Sequence, residues 1–144
     1  MNNYVSGSIC QEGIIKTVVC AGKGRKFVLK NESGQYTQKI HVDGKLVTVG
    51  SRCDYAVDIA HGDTVYLVEL KGNDKEHAFE QLYNSLGYFR DNYQTDKYYC
   101  RAVLSKDAAP KLTGKYEKLL IKAGKERKCI NYDYACVIYE KDRI

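Results

Sequence analysis

The sequence predicts an α/β fold, or α+β by stricter counting: a mixed β-sheet with antiparallel N-terminal strands, a crossover helix, and a C-terminal helix plus strand. Three observations predict it. Up to Leu70 the chain is a series of runs rich in Val, Ile, Tyr and Thr, separated by turns that carry Gly, Asn or Asp. Past Gly72 the apolar period changes, and Ala78, Phe79, Leu82, Leu86 and Phe89 recur at helical spacing. A β-rich run, Lys97–Leu104, comes next, so the passage from Val65 to Leu104 reads as strand, helix, strand with a parallel crossover.

The whole chain, 1–144, is read as one domain, long enough to bury a core. Its 44% hydrophobic and 28% charged residues are those of a soluble globular protein. No apolar run approaches the about 20 residues of a membrane span. Met1-Asn2-Asn3-Tyr4 lacks the basic region and apolar core of a signal peptide, so a cytoplasmic protein without a membrane partner is expected. The six cysteines form no Cys-x-x-Cys pair, which argues for buried free thiols in a reducing compartment rather than for zinc. The net charge of +5 divides as +4 over residues 1–50, −3 over 51–90 and +4 over 91–144. An acidic centre between basic flanks suits a metal site beside a polyanion-binding surface, and equally an ordinary mixed surface.

Taken in order, Ile14–Cys20 is β-branched and apolar, a buried strand or one short helix. Gly22–Lys26 reads as a flexible basic loop without the Gly-Lys-Ser/Thr ending of a P-loop. Its Lys23, Arg25 and Lys26 are candidate phosphate contacts, with a solvated linker as the commoner alternative. Lys26–Lys30 is a strand that stops at Asn31–Gly34. Gln35–Val42 and Lys45–Val49 flank Asp43-Gly44, a hairpin signal. Ser51–Ile59 and Thr64–Leu70 are strands joined through Ala60-His61-Gly62-Asp63. Asn73 and Glu76 resemble a capping box opening a helix over 74–90. Gln81 lies about 200° from Phe79 on that helix, off the centre of its apolar stripe, and His77 is off it as well. Ser105–Pro110 is a loop, Leu112–Ala123 a helix ringed by lysines and ended by Gly124, and Cys129–Tyr139 a final strand. Thirteen tyrosines against three phenylalanines suit amphipathic strands or stacking on exposed bases.

The Ala60–Asp63 connection fixes a register. If Ile59 faces Thr64, then Val57 faces Tyr66, Ala56 faces Leu67, Asp54 faces Glu69 and Arg52 faces Lys71. Alternation then puts Asp54, Glu69 and Lys71 on one face. Two opposed carboxylates repel unless a cation lies between them, and an oxygen-rich site of this kind suits Mg²⁺ or Mn²⁺. The backbone carbonyl of Leu70 could add a ligand.

An Asp followed by Glu-x-Lys on adjacent strands, here Asp54, Glu69 and Lys71, resembles the active site of the PD-(D/E)xK phosphodiesterases. These are the restriction-endonuclease-like and Holliday-junction-resolvase-like nucleases. Glu69-Leu70-Lys71-Gly72 followed by Glu76–Leu82 is similar too, since in members of that superfamily a Gln on the next helix, here Gln81, approaches the site. The resemblance covers about residues 50 to 105. It departs from the family pattern at Cys53, which stands where the family has Pro, and in showing no N-terminal helix with a Glu.

The resemblance implies a restriction-endonuclease-like sheet and a Mg²⁺- or Mn²⁺-dependent endonuclease. Asp54, Glu69, Lys71 and Gln81 would be catalytic, with Asp54, Glu69 and the Leu70 carbonyl as metal ligands. Lys23, Arg25, Lys26 and Arg52 are the expected nucleic-acid contacts. The expected partner is nucleic acid, DNA ahead of RNA, with a homodimer also open. The competing class is a catalytically inactive module of the same fold that binds nucleic acid or a protein. A sheet-based interaction protein unrelated to nucleases is a third.

Overall fold

The computed structural model describes residues 2–70, 75–105, 118, 121–122, 124–125 and 129–144. In chain order the elements are β1 (Ile9–Ile14), β2 (Thr17–Gly22), β3 (Arg25–Lys30), β4 (Tyr36–His41), β5 (Tyr55–Ile59), β6 (Thr64–Glu69), α1 (Lys75–Asn92), β7 (Lys97–Leu104), β8 (Cys129–Cys136) and β9 (Ile138–Arg143). A six-stranded sheet runs β1-β4-β5-β6-β7-β8, and a three-stranded sheet runs β2-β3-β9. The fold class is thus mixed α and β, mostly strand.

The β5–β6 register is the expected one within the ladder, with Ile59 opposite Thr64, Val57 opposite Tyr66 and Ala56 opposite Leu67, but β5 begins at Tyr55 rather than Ser51, so Arg52 and Asp54 lie outside it. The crossover is also as read: β6 and β7 are parallel neighbours joined through α1. Every residue of β6 is buried because the strand is covered on both faces. Val65 and Leu67 pack with Ala78, Leu82, Leu86 and Phe89 of α1. Tyr66 and Val68 face the second sheet and pack with Val18, Phe27, Leu29 and Tyr139. Helix, large sheet and small sheet are therefore three layers with two cores between them.

A charged residue sits inside the second core. Arg101 of β7 is 3% exposed. Its Nε donates to Asp142 Oδ2 at 2.7 Å and its Nη2 to Asp142 Oδ1 at 3.3 Å. Its Nη1 donates to the Cys100 carbonyl at 2.9 Å and to Asn131 Oδ1 at 2.6 Å. The guanidinium also lies over the rings of Tyr66, Tyr99 and Tyr139, at 5.6, 5.4 and 5.3 Å. Burial pushes its pKa down, but the Asp142 hydrogen bonds and charge raise it on balance, so the cation persists.

Four expectations are corrected. Asp43-Gly44 does not join a hairpin: Gly44 N donates to Val47 O and Val47 N to Val42 O, both at 2.9 Å, and Leu46 and Val47 drop into the core. The reason is that β4 already pairs with β1 on one side and β5 on the other, leaving no edge for Lys45–Val49. The basic loop is a tight hairpin turn between β2 and β3. Gly22 pairs with Arg25, and Lys23 and Gly24 have φ of 53° and 75°, the doubly positive pattern of the turn that matches strand twist. Ile14–Cys20 is neither one strand nor a helix, because β1 ends at Ile14 and β2 starts at Thr17. Cys129–Tyr139 is two strands broken at Val137, whose φ is 68°. Val137 N donates to Leu104 O at 2.8 Å and its carbonyl accepts from Lys26 N at 3.0 Å, so this residue hands the chain from one sheet to the other. The helix expected over Leu112–Ala123 and the capping box at Asn73 lie largely outside the described residues. Among those that are described, no helix is long and apolar enough to cross a membrane.

Two stability outcomes follow. Gly62 has φ +92°, and a Cβ there would stand 2.5 Å from the Gln94 carbonyl oxygen. Gly62→Ala should therefore destabilise by about 2–4 kcal/mol, read as a lower denaturant midpoint at unchanged slope. Arg101→Ala leaves the Asp142 carboxylate without its guanidinium and should cost about 3–5 kcal/mol. A loss under about 1 kcal/mol in chemical denaturation would show that the cation contributes no net binding between the sheets.

Candidate active site at the end of β5 and β6

β5 and β6 are held rung by rung as far as Tyr55 opposite Val68. Past that rung, Asp54 Oδ2 accepts the Leu70 N–H at 2.9 Å, which ties the residue before β5 to the residue after β6. Asp54 is half-buried, past the last rung of the ladder. Glu69, the last residue of β6, is 1% exposed. Alternation with Val65 and Leu67 sets Glu69 on the α1 face of the sheet. Both acids lie close to Cys53: burial first, then the charges of Glu69 and Asp54, push the Cys53 thiol well above its usual range.

The middle of α1 grips the segment leading into β5. Ser85 Oγ accepts the Cys53 N–H at 2.9 Å and donates to the Gln81 carbonyl at 2.7 Å. Gln81 is 4% exposed, and its Nε2 donates to Ser51 Oγ and lies 3.2 Å from His77 Nε2. Its Oε1 is buried with no hydrogen-bond partner among the described residues. The helical wheel put Gln81 off the apolar stripe. It is buried all the same, because the chain around Ser51–Cys53 covers that side of the helix. His77 is exposed, as read.

The β2–β3 turn arrives at the same place from the other sheet. A cavity of about 100 Å³ is lined by Lys23, His41, Asp54, Tyr55 and Leu70, among others. Lys23 and Lys26 are exposed. Arg25 Nη1 donates to the Leu70 carbonyl at 3.1 Å, so the expected phosphate contact is engaged with the expected metal-ligand oxygen. Arg52 turns away: its Nη1 donates to the Ser51 carbonyl at 2.8 Å and its guanidinium lies 5.8 Å from the Tyr88 ring centre. Lys71 lies outside the described residues.

His41 and Tyr55 are the residues that sequence reasoning missed. Their rings stack at 5.3 Å and 20°. The signal that would have found them is the β4–β5 pairing of His41 with Tyr55, which the apparent Asp43-Gly44 hairpin concealed.

Among the described residues no three His, Cys, Asp or Glu side chains converge to hold a metal ion. The carboxylates at this end of the sheet are Asp54, whose Oδ2 accepts the Leu70 N–H, and Glu69. Two carboxylates with open positions suit Mg²⁺ or Mn²⁺, which retain waters and take phosphate oxygens, and do not suit a closed structural zinc site. The N-terminal helix of the nuclease pattern has no counterpart among the described residues, where β1 to β3 stand instead. Compared with family models, with curated proteins and with solved structures, the chain matches none.

Proposed function

We propose that the chain is a metal-dependent phosphodiesterase acting on nucleic acid, DNA ahead of RNA, with a restriction-endonuclease-like core. The observation that carries the reading is the hydrogen bond from Leu70 N to Asp54 Oδ2, which holds Asp54 at the end of β6 where Glu69 lies buried, immediately before the crossover helix. Asp54 and Glu69 would hold Mg²⁺ or Mn²⁺. When bound, such an ion polarises a phosphodiester oxygen and makes a hydroxide nucleophile accessible near neutral pH. Lys71 follows Leu70 directly and carries the charge that meets the phosphoryl oxygens as they become more negative. Lys23, on the turn beside Asp54, and Lys26, exposed on β3, bind flanking backbone phosphates. Gln81, held by Ser51 and His77, positions polar groups under the site.

One observation favours a second reading. The Leu70 carbonyl is already taken by the Arg25 guanidinium. A chain of this fold that kept the acids but closed the site with Arg25 would be a non-catalytic module binding nucleic acid or a protein.

Purified protein with Mg²⁺ or Mn²⁺ should cleave at least one of single-stranded, duplex, flapped or four-way DNA, or RNA. Lys71→Ala should lower turnover by about 10²–10³-fold with little change in affinity, since the lost charge acts in the transition state. Absence of cleavage of every substrate, or equal cleavage by wild type and variant, would overturn the enzyme and leave the binding module.

Calorimetry separates the metal from the chemistry. A divalent ion at 100 times its Kd should stabilise the wild type by about 2.7 kcal/mol, seen as a melting temperature raised by a few degrees. Asp54→Asn should abolish that shift. An equal shift in wild type and variant would place the ion elsewhere.

A further inference from the structure

Two buried thiols lie side by side in the core under α1, and neither enters the proposed chemistry. Cys100 of β7 is 1% exposed and Cys129, the first residue of β8, is 7% exposed. Their sulfurs are 3.8 Å apart. The two strands are parallel neighbours, and Cys129 is opposite Tyr98, two residues from Cys100. The ladder shifts register between the Tyr98 and Tyr99 rungs, so Cys129 sits at an irregularity where the strand has slack.

We infer that Cys100 and Cys129 form a dithiol site that a peroxide closes to an intrachain disulfide. A disulfide needs sulfurs about 2.05 Å apart, so they must approach by about 1.8 Å. Side-chain rotation at the start of β8 supplies that movement. Cys129, the more exposed of the two, is the thiol that the oxidant meets. Its hydrogen bond with Cys100 holds its pKa below the usual thiol range, against the effect of burial, with help from the nearby Arg101 charge. Cys100, deeper and raised by burial, is the resolving thiol.

The steps balance. The Cys129 thiolate attacks one oxygen of hydrogen peroxide and the O–O bond breaks. The departing hydroxide takes up the thiol proton and leaves as water, and Cys129 becomes a sulfenic acid. The Cys100 sulfur then attacks Cys129 Sγ and the S–O bond breaks. That hydroxide takes the Cys100 proton and leaves as a second water. The two thiols together lose two electrons and the peroxide gains them.

Cys53 belongs to the same core cluster, but its Sγ is directed to the Tyr55 carbonyl at 3.5 Å. Cys10 and Cys136 are exposed and serve as internal controls. Closure would tie β8 to β7 at the base of the segment that joins them. The inference is independent of the nuclease reading.

The test is titration of the reduced full-length protein with hydrogen peroxide, followed by a thiol count in denaturant and tryptic mapping. The count should fall from the six cysteines of the chain to four. The peptides Tyr98–Arg101 and Cys129–Lys141 should be recovered as one species, which dithiothreitol separates. Cys136→Ser should keep that species, showing that Cys129 is the partner, and Cys129→Ser or Cys129→Ala should remove it. Six thiols remaining, a sulfenic acid trapped on Cys129 without a cross-link, a Cys53–Cys100 bond, or a dimer linked through Cys10 or Cys136 would each overturn the inference.

Discussion

The two sheets are joined around one buried cation. A guanidinium keeps its proton at any pH at which the protein is folded, so a buried arginine must have its charge and its donors matched in place. Arg101 draws its partners from four strands: Tyr66 on β6, Tyr99 and the Cys100 carbonyl on β7, Asn131 on β8, and Tyr139 and Asp142 on β9. Apolar faces alone tolerate sliding. A forked pair with Asp142 does not, because a shift of one residue along β9 would carry the carboxylate out of reach. The tyrosine bias has its reason partly here. These three rings offer their faces to the cation, and the Tyr139 hydroxyl reaches Asp133 Oδ2 at 2.7 Å, a bond that phenylalanine could not make.

That docking sets the position of the basic turn. β3 is locked between β2 and β9, and β9 is held to β7 through Asp142 and Arg101. The β2–β3 turn therefore overhangs the end of β5 and β6 at a fixed distance, and Arg25 can reach the Leu70 carbonyl. Charge that the sequence distributes as basic flank and acidic centre becomes, in the fold, a basic turn from one sheet set against an acid from the other. Asp54 lines the cavity beneath this turn, and Glu69 is buried at the end of β6.

What was legible in the sequence was local. The β5–β6 register follows from Ala60–Asp63, because a short connection leaves few ways to pair its flanking strands, and α1 and β7 follow from apolar period and a crossover rule. The expected opposition of Asp54 and Glu69 extends that register one rung past the last pair of the ladder. What was illegible depended on partners distant in sequence. Nothing near Tyr36–His41 says that β1 and β5 will flank it, so Asp43-Gly44 looked like a hairpin. Nothing in Cys136-Val137-Ile138 announces a sheet change, since a β-branched residue is a poor choice for positive φ and is held there only by bonds to Leu104 and Lys26. Arg101 lies within the β-rich run Lys97–Leu104, and nothing in that run signals its cage, which exists only when β6, β7, β8 and β9 meet.

Arg25 is where the two functional readings diverge physically. A carbonyl oxygen has two lone pairs, so its bond to Arg25 does not exhaust Leu70. Two unit positive charges about 4 Å apart near a protein surface nevertheless repel by about 4 kcal/mol, and a divalent ion doubles that. A metal held by Asp54 and Glu69 would therefore push Arg25 away from Leu70. The arginine is suited to leave: it is half-buried, its Nη1 makes the bond to Leu70, and its Nε is without a partner among the described residues. Released, it would swing toward the exposed side, where Lys23 already stands, and present a forked donor to a phosphate at the site. In the binding module Arg25 instead stays on Leu70 and supplies the positive charge beside Asp54 itself. The same hydrogen bond is thus a latch in one reading and a permanent closure of the site in the other.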